Sequence, residues 1–286
     1  MKLLGRGILI TGASRGFGKV IAQACMSEGA DVYICGRDSR ALFQARDELT
    51  SQSRNEQKVM ARVADVSRPE EVSSLIEAAI RDLPRFDGLV NNAGVSGPKG
   101  LTEEVEWEEW IKAVKVNLMG TVLSCRAAVP HFRRQGYGKI VNLSGGGATN
   151  PRPRFSAYAA SKAAVVRFTE TLAEETRGSG IGVNAVAPGA MNTGMLDEAI
   201  EAGPEKVGDA SYTRLLEQKK EGGVSPEMGA SLCVFLLSSE SDSITGRLLS
   251  AVWDKWKELP EKRAELAESD IYTLRRIVPE DRGLNW

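Results

Sequence analysis

Tyr158 and Lys162 stand four residues apart in the stretch Ser156-Ala157-Tyr158-Ala159-Ala160-Ser161-Lys162. On a helix that spacing projects both side chains from one face, a turn apart. A free phenol, with a pKa of about 10, moves protons poorly at neutral pH. A fixed ammonium beside it favours the phenolate and brings the group toward a useful range. The pair therefore reads as an acid/base device for interconverting a carbonyl and an alcohol. Tyr and Lys also fall at this spacing by chance on many helices, so the neighbouring motifs decide the reading.

The first of these is Thr11-Gly12-Ala13-Ser14-Arg15-Gly16-Phe17-Gly18, between an apolar strand, Gly7-Ile8-Leu9-Ile10, and a helical stretch from Lys19 to Ser27. Strand, glycine-rich turn and helix form the setting of a dinucleotide site: the glycines admit the diphosphate to the backbone, and the helix N-terminus faces its charge. The second strand, Asp31 to Cys35, ends at Gly36-Arg37-Asp38-Ser39, without the carboxylate that holds the ribose hydroxyls of NAD at the strand end. Arg37 and Arg15 could clamp a 2′-phosphate, which favours NADP (NADPH) over NAD, or remain solvated charges. Asp38 lies roughly where a count of about 20 residues puts the NAD carboxylate, but it or Ser39 reads as the N-cap of the next helix. Asp65-Val66 closes a third strand, Val59 to Ala64, and places Asp65 either against an adenine amino group or in a turn. The fourth strand, Gly88-Leu89-Val90, closes on Asn91-Asn92-Ala93-Gly94, small residues that permit close backbone approach.

These motifs need a frame to position them. Strand Lys139 to Leu143 leads into the tyrosine helix, Phe155 to Arg177. Strand Gly182 to Ala187 ends at Pro188-Gly189, and Ile244 to Ser250 reads as a seventh strand. A helix opens at Ser67-Arg68-Pro69-Glu70 with a cap and an N1-type proline. A long helix is expected from about Glu103 to Arg133, carrying Asn117 among apolar neighbours, where its amide has either a functional partner or only a helix carbonyl. Ser225-Pro226-Glu227 caps a further helix through Leu237. Between Ala190 and Val224 the pattern loosens, as expected of an irregular substrate lid. Alternating strands and helices predict an α/β fold, a doubly wound parallel sheet of about seven strands in a single domain, 1–252, with a C-terminal extension, 253–286.

Composition narrows the function classes. The chain has 286 residues, a net charge of −1 with both signs interspersed, and one histidine. Neither a nucleic-acid footprint nor a Ser-His-Asp triad is expected, and no apolar run reaches membrane-spanning length. Cys25, Cys35, Cys125 and Cys233 lie far apart, as buried thiols of a reducing compartment do, with no metal-site spacing. With no signal peptide in Met1-Lys2-Leu3-Leu4, the expected setting is cytoplasmic.

Together these motifs resemble the short-chain dehydrogenase/reductase family over roughly residues 5–250. The resemblance implies a Rossmann-type fold and an NAD(P)-dependent oxidoreductase. It implies that Gly12, Gly16 and Gly18, with Ser14 and Arg15, hold the diphosphate, that Asp65 contacts adenine, and that Asn92-Ala93-Gly94 flank the cofactor. Asn117 matches an asparagine that supports a relay water, Tyr158 the acid/base, and Lys162 the residue that tunes it and holds the nicotinamide ribose. Pro188, Gly189 and Thr193 match the segment at the nicotinamide carboxamide. The resemblance further implies a small-molecule carbonyl or alcohol substrate and a homodimer or homotetramer.

The chain departs from the pattern in two places. The family's catalytic serine most often lies thirteen residues before the tyrosine; here Gly145 stands there and Ser144 is one residue further back. Either a loop adjustment brings Ser144 into place, or the donor is Thr149, a backbone N–H or a water. The second departure is the tail, expected to be helical over Pro260 to Glu268 and docked through its tryptophans on the body or a neighbouring subunit. Besides the oxidoreductase, the sequence admits a catalytically weakened dinucleotide-binding regulator, which only Gly145 favours, and a nucleotide-sugar epimerase or dehydratase. Arg152 and Arg154, in Pro151-Arg152-Pro153-Arg154-Phe155, are expected near the site entrance, facing an anionic substrate or solvent.

Overall fold

Seven short strands form one parallel sheet in the order β3-β2-β1-β4-β5-β6-β7 in a computed structural model that describes residues 1–54 and 57–286. They are β1 (Gly7–Ile10), β2 (Asp31–Gly36), β3 (Val59–Val63), β4 (Gly88–Asn91), β5 (Gly138–Leu143), β6 (Ile181–Ala187) and β7 (Leu248–Ser250). β1, β4 and β5 are buried along their whole length, the signature of strands covered on both faces. After β3 the chain returns to the far side of β1 to lay down β4. This reversal opens a crevice at the carboxyl ends of β1 and β4.

Helices cover both faces. One layer carries α1 (Gly16–Ser27), α2 (Ser39–Ser51) and α10 (Pro226–Leu237), which bury Ile21, Leu42, Leu49, Cys233 and Phe235. The other carries α3 (Pro69–Asp82) and α5 (Gly120–Gln135), which bury Leu75, Ile76, Ala128 and Phe132. Between these in sequence lie α4 (Trp107–Val114), α6 (Ser156–Glu175), α7 (Gly194–Glu201), α8 (Gly203–Val207) and α9 (Asp209–Glu221), with α11 (Arg263–Ala267) in the tail. All four cysteines are free and buried. No helix among the described residues is long and apolar enough to cross a membrane.

Four expectations change. The helix expected from Glu103 begins at Trp107 and runs to Gln135, with a π-turn at Lys115–Met119 between α4 and α5. Wide turns of this kind free a backbone group from the regular ladder and often mark functional sites. The segment 190–224 is not irregular, since α7, α8 and α9 occupy most of it. β7 is only three residues long. Gly246, at φ +72°, turns the chain, and its N–H bonds Val183 O instead of continuing a ladder. Finally, α3 has Pro69 at N1 but no side-chain cap, because Ser67 is engaged with Asp65.

The tail folds onto its own chain. Trp256, Leu259 and Leu266 join the α1–α10 core, with Trp256 5.4 Å from the Phe235 ring. Burying one such ring contributes about 1.5–3 kcal/mol, no more than the ordering cost of one or two residues. Polar ties therefore matter too. Arg247 donates to the carbonyls of Ser269 (2.9 Å) and Ile271 (2.6 Å), and the edge strand's Leu248 N–H donates to Tyr272 O at 2.8 Å. Trp253 and Trp286 stay exposed.

Candidate active site

At the β1–α1 turn, backbone approaches backbone as closely as atoms allow. A Cβ on Gly12 would lie 2.7 Å from Ala93 Cα; one on Gly18 would lie 2.5 Å from Gly12 O and overlap the Asn92 amide. Thr11 ties the turn to the end of β4: its Oγ1 accepts from the N–H groups of Asn92 (3.0 Å) and Ala93 (3.1 Å). Asn92 Nδ2 returns two bonds, to Thr11 O and Gly12 O. Gly16, at φ +57°, opens α1 with nothing within 4 Å of where a Cβ would stand. No side chain caps that helix, so its first N–H groups are left for another acceptor, as an anion-binding turn requires.

Beyond β2, Ser14 packs against Gly36, and Arg15 and Arg37 are exposed. Asp38 is the N-cap of α2, its carboxylate accepting from Ala41 N–H at 3.0 Å. Asp65 spends one oxygen on the turn, accepting from Ser67 N–H (2.9 Å) and Ser67 Oγ (2.7 Å). Burial works against ionisation of Asp65, but these bonds and the nearby Arg37 and Arg68 hold it below the usual carboxylate range. Val66 is buried and packs into the groove left by Gly120 on α5.

On α6, Lys162 Nζ lies 5.8 Å from the Tyr158 ring centroid and donates to Leu143 O, at the end of β5, at 2.7 Å. Burial draws the Lys162 ammonium down to about 8. Asn117, in the π-turn, makes a closed set of bonds. Its Oδ1 accepts from Val95 N–H (2.8 Å), and its Nδ2 donates to Val95 O and Ser161 Oγ, both at 3.0 Å. Ser161 Oγ in turn donates to Tyr158 O at 2.8 Å. Gly94 sits between Asn117 Oδ1 and Lys162 Nζ, where a Cβ would approach them to 3.2 and 3.6 Å. Tyr158, Lys162, Asn117 and Gly94 are thus brought together.

Ser144 and Thr149 are not joined to them. Ser144 Oγ is buried without a hydrogen-bond partner among the described residues, and Thr149 is exposed. A Cβ on Gly145 would overlap Tyr158 Oη, so the phenol occupies the place of the expected serine side chain. Burial raises the Tyr158 phenol above its ordinary range, and the Arg152 guanidinium opposes that rise. The ring lies in an apolar cluster with Phe155, Ala199, Val207 and Tyr212, which seats α7–α9 directly over it. Ser96 and Lys99 reach Glu198 of α7, and Arg154 donates to Glu205 O of α8 at 2.8 Å. Pro188 is buried against Phe17 and Gly229, Gly189 lies against Val224 and Val252, and Thr193 is the N-cap of α7.

A family model described as short chain dehydrogenase matches residues 6–203. The chain belongs to the short-chain dehydrogenase family. It is 37% identical over 248 residues to 3beta-hydroxysteroid dehydrogenase 1 of Eggerthella lenta, covering 86% of this chain and 92% of that one. It is similar to the solved structure of an NAD+-bound xylitol dehydrogenase (TM-score 0.80, 25% identity, 87% of this chain and 98% of the other). It is also similar to a point variant of actinorhodin polyketide ketoreductase with NADPH (TM-score 0.78, 29% identity, 86% and 95%). Short-chain dehydrogenases are oxidoreductases that bind NAD(P) and act on small alcohols and ketones.

Several residues of this short-chain dehydrogenase site carried no sequence signal of their own. Ser161 links Asn117 to the tyrosine turn, and only its place between Tyr158 and Lys162 could have drawn notice. The Leu143 carbonyl that holds Lys162 is backbone, which no residue type announces. Thr11 lies inside the glycine motif, and its bonds to Asn92 and Ala93 explain why a hydroxyl suits that position.

Proposed function

We propose that this short-chain dehydrogenase interconverts a ketone and a secondary alcohol with NADP as hydride carrier and Tyr158 as acid/base. The observation that carries the reading is the assembly of Tyr158, Lys162 and the Asn117–Ser161 brace beside the crevice end of β4 and β5. The cradle suits a dinucleotide: Gly12 and Gly18 leave no room for a side chain, and no side chain caps the N-terminus of α1. Gly12, Ser14, Arg15, Gly16 and Gly18 would hold the diphosphate, Asp65 and Val66 the adenine. Asn92, Ala93, Gly94, Pro188, Gly189 and Thr193 would flank the nicotinamide half. Bound there, the dinucleotide supplies the hydride to the carbonyl carbon or accepts it from the carbinol.

The chain's own residues handle the proton. Tyr158 Oη gives a proton to the carbonyl oxygen in reduction and takes it from the hydroxyl in oxidation. Lys162, fixed on Leu143 O, has a lowered pKa that lets it exchange a proton near working pH, and it would also hold the nicotinamide ribose. Asn117 fixes the turn that carries Tyr158. In this family reading, its place in the widened helix turn suits support of a relay water. The regulator reading rests on Gly145 alone, and the intact assembly around Tyr158 argues for turnover. Subunits would associate as a homodimer or homotetramer.

Support for NADP comes from the end of β2. Asp38 commits one carboxylate oxygen to the α2 cap, Gly36 offers no carboxylate, and Arg15 and Arg37 are exposed. A charge-assisted bond to phosphate contributes about 1.5–3 kcal/mol, or roughly ten- to a hundredfold in binding. Steady-state turnover of NADPH against NADH across neutral ketones, keto acids and keto sugars tests this. NADPH should be preferred at least about tenfold, and Arg37→Ala should erase most of that preference while leaving NADH turnover unchanged. Equal use of both carriers in the wild type would remove NADP from the reading. No turnover with either would remove the reductase itself.

A further inference from the structure

Gly145 removes the side chain expected to aid Tyr158, yet a cation stands at the same loop. The Arg152 guanidinium lies 4.2 Å from the Phe155 ring centroid and 5.5 Å from that of Tyr158. A Cβ on Gly147 would come within 3.2 Å of Arg152 Cβ, and one on Gly146 within 3.7 Å of Nη1, so the arginine lies along the glycine loop. The segment that carries it is held at several points. Pro151 and Pro153 restrict the backbone. Arg154, at φ +67°, accepts from Gly100 N–H at 3.1 Å, and Phe155 N–H donates to Arg152 O at 3.3 Å. Tyr158 is the titratable group beside it, and a phenolate there would favour the guanidinium in turn.

We propose that Arg152 is a positioning residue for the proton step: its guanidinium, laid along the Gly145–Gly147 loop beside Tyr158, favours the phenolate and takes over electrostatic work a hydroxyl at position 145 would have done. The proposal rests on Tyr158 being the acid/base. The other groups around the phenol leave the role to Arg152. Lys162, on the same helix and 5.8 Å from the ring centroid, is turned to Leu143 O, and burial disfavours its charge. Arg154 is turned to Glu205 O. From α7 and α8 the uncharged Ala199 and Val207 face the ring, and α9 packs Tyr212 into the same apolar cluster. A cation a few ångströms from a partly desolvated phenol stabilises its anion far more than one in water.

The test is the pH profile of alcohol oxidation in the wild type, Arg152→Gln and Arg152→Lys, with a neutral secondary alcohol and an anionic hydroxy acid. Oxidation needs the phenolate, so its rate rises with pH through the Tyr158 pKa. Arg152→Gln should move that limb to higher pH by about one unit, an approximately tenfold loss near neutrality, equally for both substrates. Arg152→Lys should recover part of it, and dinucleotide affinity by fluorescence should stay unchanged. An unmoved limb overturns the proposal. So does a loss confined to the hydroxy acid, which would make Arg152 a carboxylate anchor instead. Tyrosinate absorbance, with Tyr158→Phe as the reference, follows the same group without turnover. If that titration shifts in Arg152→Gln while no variant turns over, the reaction assigned above fails and the electrostatic role of Arg152 stands.

Discussion

On the β1–β4 side of the crevice, Gly12, Gly18, Ala93 and Asn92 meet with backbone against backbone, and Thr11 Oγ1 closes the gap by accepting two backbone N–H bonds. On the β5–β6 side, long side chains reach across from distant parts of the chain. Arg152 lies over two rings, Arg154 grips α8, and Ser96 with Lys99 grips α7. The first side is built from what is missing, so its residue types are nearly dictated by geometry. The second is built from contacts that other side chains could replace. We read the first as the cofactor cradle and the second as the substrate side.

Gly18→Val should show the largest effect. Its side chain would enter the space of Gly12 O and the Asn92 amide. Overpacking of this kind costs about 1–3 kcal/mol, and dinucleotide binding, read by fluorescence titration, should be lost. Retained affinity would break the claim that this side tolerates no added atoms. Gly145→Ser tests the other side. It restores the hydroxyl that the family resemblance places at this position. In the structure its Cβ overlaps Tyr158 Oη, at the end of a rigid ring held under the lid. Displacing an acid/base by an ångström can cost about a hundredfold. The expected outcome is therefore a kcat lowered by that order with dinucleotide affinity unchanged; a faster enzyme would show that the phenol has room to move. Smaller losses, about tenfold, are expected from Arg37→Ala and Arg152→Gln in the assays described above.

What the sequence revealed follows the same division. The glycine turn, the strand ends and the Tyr158–Lys162 spacing were legible because close approach and helical phase leave their mark in residue type. The parallel sheet was legible from buried apolar runs such as Gly7–Ile10. The lid helices were not. α9 fully buries none of its residues and packs only through half-buried side chains such as Tyr212 and Leu215, a thin apolar stripe, and Gly203, Gly208 and Gly222, all at positive φ, punctuate the segment as loop glycines do. The π-turn at Asn117 was equally hidden, since no glycine or proline marks its start. The seventh strand was overextended because Ile244 and Leu248 continue an apolar pattern across the turn at Gly246. Arg152 was placed near the entrance, but its position over Tyr158 depends on the loop's course and on Phe155, which residue type alone does not give.

The most direct test of the account follows the hydride and the proton together. Wild type and Tyr158→Phe would be supplied with NADPH deuterated at the transferring carbon and a ketone that the wild type turns over. The product alcohol would then be examined for label by mass spectrometry. The account predicts one deuterium at the carbinol carbon, with the rate falling about 10²–10⁴-fold in Tyr158→Phe while NADPH still binds. Unlabelled product, or full activity without the Tyr158 hydroxyl, would contradict it.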